Sequence, residues 1–385
     1  MRKKRPETLR RHSTAPIVVL GLGFAGLAAA YALRRTIPEA EVIAVNGRRD
    51  YVYRPSLPQV ALGRKRLRQI SIDVAAALDR RAIRFCHARA LGLDPHGRRL
   101  LTDAGPLPYS RLLVALGSEI AFEEMPGLSR WGHVLCEADR IRRLKREIAA
   151  FSGGEIVVAL SRDNPYELMD IGFVLELSHH LRSSGRIDRA HISYLTPNAE
   201  VVPFLGAKGR AAIRGALERA GVEILSSTEV TGVGRDGVTL GDGGFLPSRL
   251  SVFFPPYRGR SCLSSPGLTD GRGYLLVDDH LRNPSFPDIY GAGDSVASCG
   301  PKSGRQAMIQ GKRVAREIAR SLRHVGAAEA NGKRPLEAIV ELGGPRGLYV
   351  RSHGPEGKER VFEGVLPRFL KFALERWFVL RSGET

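Results

Sequence analysis

Thiols are scarce in this chain. Its four cysteines in 385 residues (Cys86, Cys136, Cys262 and Cys299) lie far apart and form no C-x-x-C pair. That spacing argues against a zinc site and a disulfide-stapled fold, and suits a reducing compartment. Aromatic residues make up only 7%, and none interleave with the basic patches as a nucleic-acid surface requires. Acidic residues are outnumbered 40 to 59, which leaves a net charge of +19. No apolar run approaches the roughly 18 residues of a membrane-spanning helix, so an integral membrane protein is not expected. The basic N-terminal head is followed by no apolar h-region, and a cleaved secretory signal is not expected either.

What is present describes a globular chain. Hydrophobic residues make up 43% and charged residues 26%, and the length suits two or three domains. Arginine outnumbers lysine 49 to 10, and the basic residues are spread along the chain. The exceptions are the head (Arg2, Lys3, Lys4, Arg5, Arg10, Arg11) and the run Arg64 to Arg68. Such a surface attracts anionic partners: nucleic acid, anionic lipid or acidic substrates. With no nucleic-acid motif, the nucleic-acid reading rests on charge alone.

Two βαβ patterns follow one another. Residues 17–20 read as a buried strand, Phe24–Arg35 as a helix closed by Pro38, and Val42–Val45 as the next strand. Strand candidates Arg98–Thr102 and Arg111–Ala115 flank a turn at Ala104-Gly-Pro, and the helix Ala138–Ala150 leads to a hinge at Ser152-Gly-Gly. The second pattern runs from strand Ile156–Leu160 through helix Pro165–Arg182, strand His191–Leu195, helix Ala207–Ala220 and strand Val222–Leu225. After Pro255-Pro256 come strand-like Leu275–Val277 and Asp288–Tyr290, helix Gln306–Arg323, two short strands (Ala338–Leu342 and Gly347–Arg351) and the helix Leu366–Arg381. The fold class expected is α/β: two Rossmann-like dinucleotide-binding domains, the second inserted in the first, plus a small C-terminal tail with an amphipathic helix. Its divisions are 1–15 as a basic extension, 16–150 with 255–325 as the first dinucleotide-binding domain, 151–254 as the second, and 326–385 as a membrane- or partner-binding region.

Gly21-Leu22-Gly23-Phe24-Ala25-Gly26 is a full G-x-G-x-x-G between strand and helix. Gly21 permits the tight turn, Gly23 lets backbone approach a pyrophosphate, and Gly26 lets the helix pack on the strand. The plainer reading is a glycine turn in an empty Rossmann domain. Asn46 ends the second strand where a ribose-binding carboxylate is expected, and its amide is the weaker hydrogen-bonding substitute.

Two further segments point to FAD. Leu112-Leu-Val-Ala115-Leu-Gly117 resembles the hydrophobic-A-T-G segment of two-dinucleotide-domain flavoproteins, and Tyr290-Gly-Ala-Gly293-Asp294 resembles their distal G-D motif. There a carboxylate reaches the ribityl hydroxyls; otherwise Asp294 is a turn or N-cap residue. Tyr51-Val-Tyr-Arg54-Pro55-Ser-Leu-Pro-Gln-Val-Ala-Leu-Gly63, Phe253-Phe-Pro-Pro-Tyr-Arg258, Pro301-Lys302-Ser-Gly304 and Phe369–Phe378 are similar to segments of sulfide:quinone oxidoreductases. Over residues 16–382 the chain resembles the group formed by those enzymes, flavocytochrome c sulfide dehydrogenases and type II NADH dehydrogenases.

The resemblance implies FAD, electron delivery to a quinone, and attachment to one membrane face. Arg54, Pro55, Ala115, Gly117 and Gly293 then stand with the glycine turn as cofactor-binding residues. Glu167 matches a glutamate near flavin and quinone that relays protons; alternatively it is a first-turn helix glutamate. Lys302 supplies positive charge near the flavin, or is a surface lysine. Cys299, on the loop after Asp294, is a flavin-adjacent thiol or a buried inert one. No metal is expected.

The sequence also departs from both well-known branches. Leu160-Ser-Arg-Asp163-Asn-Pro165 stands where NADH dehydrogenases carry a second glycine fingerprint, and has no glycine. Ser161-Arg162 stands where sulfide:quinone oxidoreductases place one of a cysteine pair, and Ala338-Ile-Val-Glu-Leu lacks the partner; Cys136 matches a third family cysteine. The donor is therefore open between sulfide, another small reductant and NADH bound unusually.

On the final helix Leu366, Phe369, Leu370, Ala373, Trp377 and Leu380 share a face that Phe372 and Phe378 widen, with four cations against Glu375. Such a helix lies in a membrane interface or docks on a partner subunit. The leading expectation is an FAD enzyme, peripheral on the cytoplasmic face of the cell membrane, passing electrons from a small reductant to quinone. The alternatives are a type II NADH:quinone dehydrogenase, and a flavin-binding sensor or subunit without turnover; a homodimer is left open.

Overall fold

The computed structural model describes residues 15–297, 302–326 and 335–383. Two five-stranded sheets organise them. Ile17–Leu20 is buried along its whole length: Ile17 and Val19 face helices, while Val18 and Leu20 face Leu100, Tyr109 and Leu268 of a hairpin and loops. The first sheet runs Ile289–Gly291, Arg111–Val114, Ile17–Leu20, Val42–Asn46, Arg84–His87, with every pair parallel. The second runs His133–Val134, Leu250–Phe254, Gly154–Leu160, Ala190–Leu195, Val222–Leu225, again all parallel. The chain leaves the first sheet after Arg111–Val114, builds the second, and returns for Ile289–Gly291. The second unit is thus inserted in the first.

The helix Phe24–Thr36 buries its alanine-rich face against the first sheet and against the helix Gly304–Leu322. Those two helices meet backbone to backbone, since a side chain at Gly311 would run into the carbonyl of Ala25. In the second unit the helix Glu167–Ser183 is buried nearly all round at its middle, where Phe173, Val174 and Leu177 and also Asp170 and Glu176 are fully buried.

Several local expectations need correction. Arg99–Thr102 pairs with Gly105–Pro108 as a hairpin, while Arg111–Val114 belongs to the main sheet. Leu275–Val277 is not a strand: Leu275 makes only isolated bridges, to Thr269 and Val296. Three antiparallel strands form the tail sheet, Leu336–Glu341, Gly347–Ser352 and Glu359–Gly364. The third was hidden because its charged residues (Glu359, Arg360, Glu363) break any apolar run, and pairing with its neighbour stabilises it.

The final helix, Val365–Gly383, reverses the usual arrangement. Arg368, Lys371 and Glu375 face inward, while Arg376 stays exposed. Arg368 pairs with Glu341 and, at 3.2 Å, with the fully buried Glu176; Lys371 meets Glu341 at 3.1 Å. Glu375 accepts from Ser56 Oγ at 2.5 Å and pairs with Lys65, while Arg64 pairs with Glu176. Two of the cations expected outside are therefore used inside. Phe378 is also buried, not part of the outer face, and its ring lies 4.7 Å from Phe24 and 5.4 Å from Tyr53. Leu366 and Phe369 (64% exposed each), Phe372 (52%) and Trp377 (46%) face out. No helix among the described residues is long and apolar enough to cross a membrane.

Phe378→Ala leaves a cavity between the final helix and the first sheet's helix. We expect a loss of about 3 kcal/mol in chemical denaturation.

Candidate functional site

The site is a crevice at the carboxyl ends of the first sheet. The strand Ile17–Leu20 runs straight into the turn Gly21–Gly23. Gly21 adopts φ +91° and donates its N–H to Val45 O at 2.8 Å. A side chain there would strike the backbone of Ala115, and one at Gly26 would strike Gly21 O. Gly23 is different: the nearest atom to a methyl group there would be Tyr51 Cε2, at 3.9 Å. Gly23 also caps the helix, so the free amides of Phe24, Ala25 and Gly26 face the same opening.

Asn46 braces this turn. Its Oδ1 accepts from Leu22 N at 3.3 Å and its Nδ2 donates to Arg48 O at 2.7 Å. Across the mouth, Ala115 N donates to Leu20 O, and Gly117, at φ +71°, donates to Ser295 Oγ at 2.7 Å. Gly293, also at φ +71°, donates to Gln310 Oε1 at 2.7 Å. These bonds stitch the loop after Arg111–Val114 to the loop after Ile289–Gly291 and place Asp294 at the mouth.

Lys302 is half-buried and anchored, which sets aside the surface-lysine reading. Its Nζ donates to Asp294 O at 2.7 Å and Val296 O at 3.2 Å, and stands 3.8 Å from the Tyr274 ring centroid. Burial pushes its pKa down to about 8, against the opposing pull of Asp294 and Asp270. Arg54 opens the turn Arg54–Ser56, remains exposed, and lies within electrostatic reach of Tyr51, Tyr166, Tyr257 and Cys136. Pro55 follows it in the same turn. Burial raises the Tyr51 hydroxyl well above its ordinary value. Glu167 begins its helix, but its side chain lies outside the described residues, as does Cys299.

The residues present fit a dinucleotide. Gly23 opens on free space, nothing lies within 4 Å of a methyl group at Gly117, and Asp294 Oδ1 has no hydrogen bond among the described residues.

Residues 15–311 match the family described as pyridine nucleotide-disulphide oxidoreductase. The chain belongs to that family. It is 23% identical to the sulfide-quinone reductase of Aquifex aeolicus, covering 96% of this chain and 91% of the relative. It is 27% identical to the type II NADH:quinone oxidoreductase of Mycobacterium tuberculosis, covering 85% and 75%. Among solved structures, the sulfide:quinone oxidoreductase of Aquifex aeolicus superposes with a TM-score of 0.88 at 20% identity, covering 96% and 91%. The protein is an FAD-dependent oxidoreductase.

In this pyridine nucleotide-disulphide oxidoreductase the second sheet presents a different mouth. After Gly154–Leu160, Ser161 N donates to Phe254 O. Asn164 Nδ2 donates to Pro255 O at 2.8 Å, and its Oδ1 takes the N–H of Tyr166 at 2.7 Å. Asp163 pairs with Arg272 at 3.3 Å and Arg162 with Glu229 at 2.9 Å. Asn164 thus braces Tyr166, the residue that precedes the helix Glu167–Ser183. Cys86, Cys136 and Cys262 are free thiols. Cys136 is buried 3.7 Å from Met169 Sδ, and burial pushes its thiol up to about 11. A thiol so rarely ionised at neutral pH is a poor nucleophile.

Sequence reasoning missed Tyr166, Ser118, Ser295 and Gln310. Tyr166 carried one signal, its place beside Glu167 in Pro165-Tyr-Glu; the others are brought in by tertiary pairing alone.

Lys302 gives a pH prediction. Its proton is held more weakly in the fold than in the unfolded chain, so this group makes stability rise with pH between about 8 and 10.5. Thermal unfolding across that range should show the rise in the native protein and a flatter profile in Lys302→Met.

Proposed function

We propose that this oxidoreductase takes electrons from a small reductant and delivers them to a quinone at the surface of the cell membrane, on its inner face. The observation that carries the reading is the final helix. Its outward residues, Leu366, Phe369, Phe372 and Trp377, form an apolar face, and its inward Phe378 packs on Phe24, Tyr51 and Tyr53 at the mouth of the crevice. A quinone is lipid-soluble, and a face that rests in the headgroup region beside the cofactor gives it a short way in. The net charge of +19 favours an anionic leaflet. The relatives named above, a sulfide-quinone reductase and a type II NADH:quinone oxidoreductase, support a quinone as acceptor.

When bound, FAD supplies the two-electron redox chemistry. The chain's own residues bind and orient it. The Gly21–Gly26 turn offers amides and a helix N-terminus to the diphosphate. Asp294 offers a carboxylate oxygen to the ribityl hydroxyls, and Lys302 fixes the Asp294 loop while adding positive charge near the mouth. Glu167 is the proposed carrier of protons for the reduced quinone. The second mouth favours a small donor over NADH, since it has no glycine cradle for a pyrophosphate and carries Asp163, whose charge opposes one.

Two measurements test the reading. Protein reduced chemically under anaerobic conditions should recover its yellow colour with a short-chain quinone much faster than free FAD does. Recovery no faster than free flavin removes the quinone from the reading. Anaerobic titration with sulfide and then NADH reads the donor; bleaching by NADH at low concentration would refute the preference for a small reductant. For the membrane, the double change Leu366→Glu and Phe369→Glu should lower co-sedimentation with anionic vesicles at least tenfold. Both side chains are exposed, so the melting temperature should hardly move.

A further inference from the structure

Tyr166 belongs to the second unit, at the last turn residue before the helix Glu167–Ser183, yet its hydroxyl reaches the first. It donates to Asp294 Oδ2 at 2.7 Å. Ser118 Oγ lies 3.0 Å from the same hydroxyl. A tyrosine has one proton, and here it goes to the carboxylate, so Ser118 is the donor in the second bond. The result is an ordered chain from Ser118 through Tyr166 to Asp294. Each link is held from behind. Ser118 is buried and follows Gly117, which is tied to Ser295. The Tyr166 backbone N–H is fixed by Asn164, and its ring stands edge-on to Tyr257 with centroids 5.0 Å apart. Burial and the Asp294 charge raise the Tyr166 hydroxyl well above its ordinary range, so it remains a donor throughout neutral pH.

We infer that Tyr166 is a positioning residue for the flavin, supplied by the second unit. It holds one oxygen of the Asp294 carboxylate so that the other, Oδ1, is turned to a ribityl hydroxyl of FAD. This rests on the reading of Asp294 as a flavin ligand. The second unit in this way contributes a side chain to building the first. A carboxylate without this donor keeps its charge but loses its fixed direction, and a hydrogen bond to a charged group is among the stronger ones available.

The test is a double-mutant cycle read in FAD affinity, by quenching of flavin fluorescence on titration of the apoprotein. Tyr166→Phe keeps the ring against Tyr257 and removes only the hydroxyl; it should weaken FAD about tenfold. Asp294→Asn should weaken it further, and the double variant should bind no worse than Asp294→Asn alone. Ser118→Ala gives an independent cycle should Asp294→Asn hold no FAD: its effect should vanish in the Tyr166→Phe background. The midpoint potential of bound FAD should also shift in Tyr166→Phe. Additive effects in the cycle, or an unchanged affinity and potential in Tyr166→Phe, would overturn the inference while leaving Asp294 as a ligand. Native protein that binds no FAD would overturn the flavin reading itself.

Discussion

The crevice depends on backbone segments approaching one another without side chains between them. Gly21 lies against Ala115, Gly26 against Gly21, and Gly311 against Ala25; each contact closes on a carbonyl or backbone atom that any Cβ would strike. Because those gaps are closed, the amides of the helix Phe24–Thr36 stand at a fixed distance from the loop bearing Asp294. A helix N-terminus concentrates unpaired donors and positive partial charge, and so needs little further help to hold a diphosphate. The remaining features of the site, Lys302 under the Asp294 loop and Ser295 under Gly117, act by keeping the two loops of that mouth in place.

The final helix follows from a second constraint, the placement of charge. Glu176 and Glu341 are buried, and a buried carboxylate is tolerated only when paired. Arg64, Arg368 and Lys371 supply the partners, two of them from the helix itself. With Arg368 and Lys371 drawn inward, the helix turns Leu366, Phe369, Phe372 and Trp377 outward. The apolar surface is thus a consequence of the inner ion pairs, and the two are fixed together with Phe378 against the crevice.

At the second mouth the protein's side chains pair with one another: Asn164 bonds Pro255 O and the amide of Tyr166, Arg162 pairs with Glu229, and Asp163 with Arg272. Cys136 is buried beside Met169 and has no disulfide partner. The second unit sends one side chain, Tyr166, across to the first, where its hydroxyl meets Asp294.

The sequence by itself determined the two βαβ units, the glycine turn and the helix order, because each is a local matter: apolar runs make buried strands, and a glycine must stand where backbone turns tightly. It also disclosed the family, through short segments such as Tyr51–Gly63 and Tyr290–Asp294. It did not disclose the charged third strand of the tail, which exists only by pairing with its neighbour, nor that Leu275–Val277 is tied to loops instead of a sheet. The direction in which Arg368, Lys371 and Phe378 point was decided by tertiary structure, since helical periodicity ranks faces by apolarity and cannot see a buried glutamate waiting on another element. The same holds for Tyr166 and Asp294, 128 residues apart: a hydrogen bond between distant segments leaves no local pattern, and only the folded chain brings its two ends within 2.7 Å.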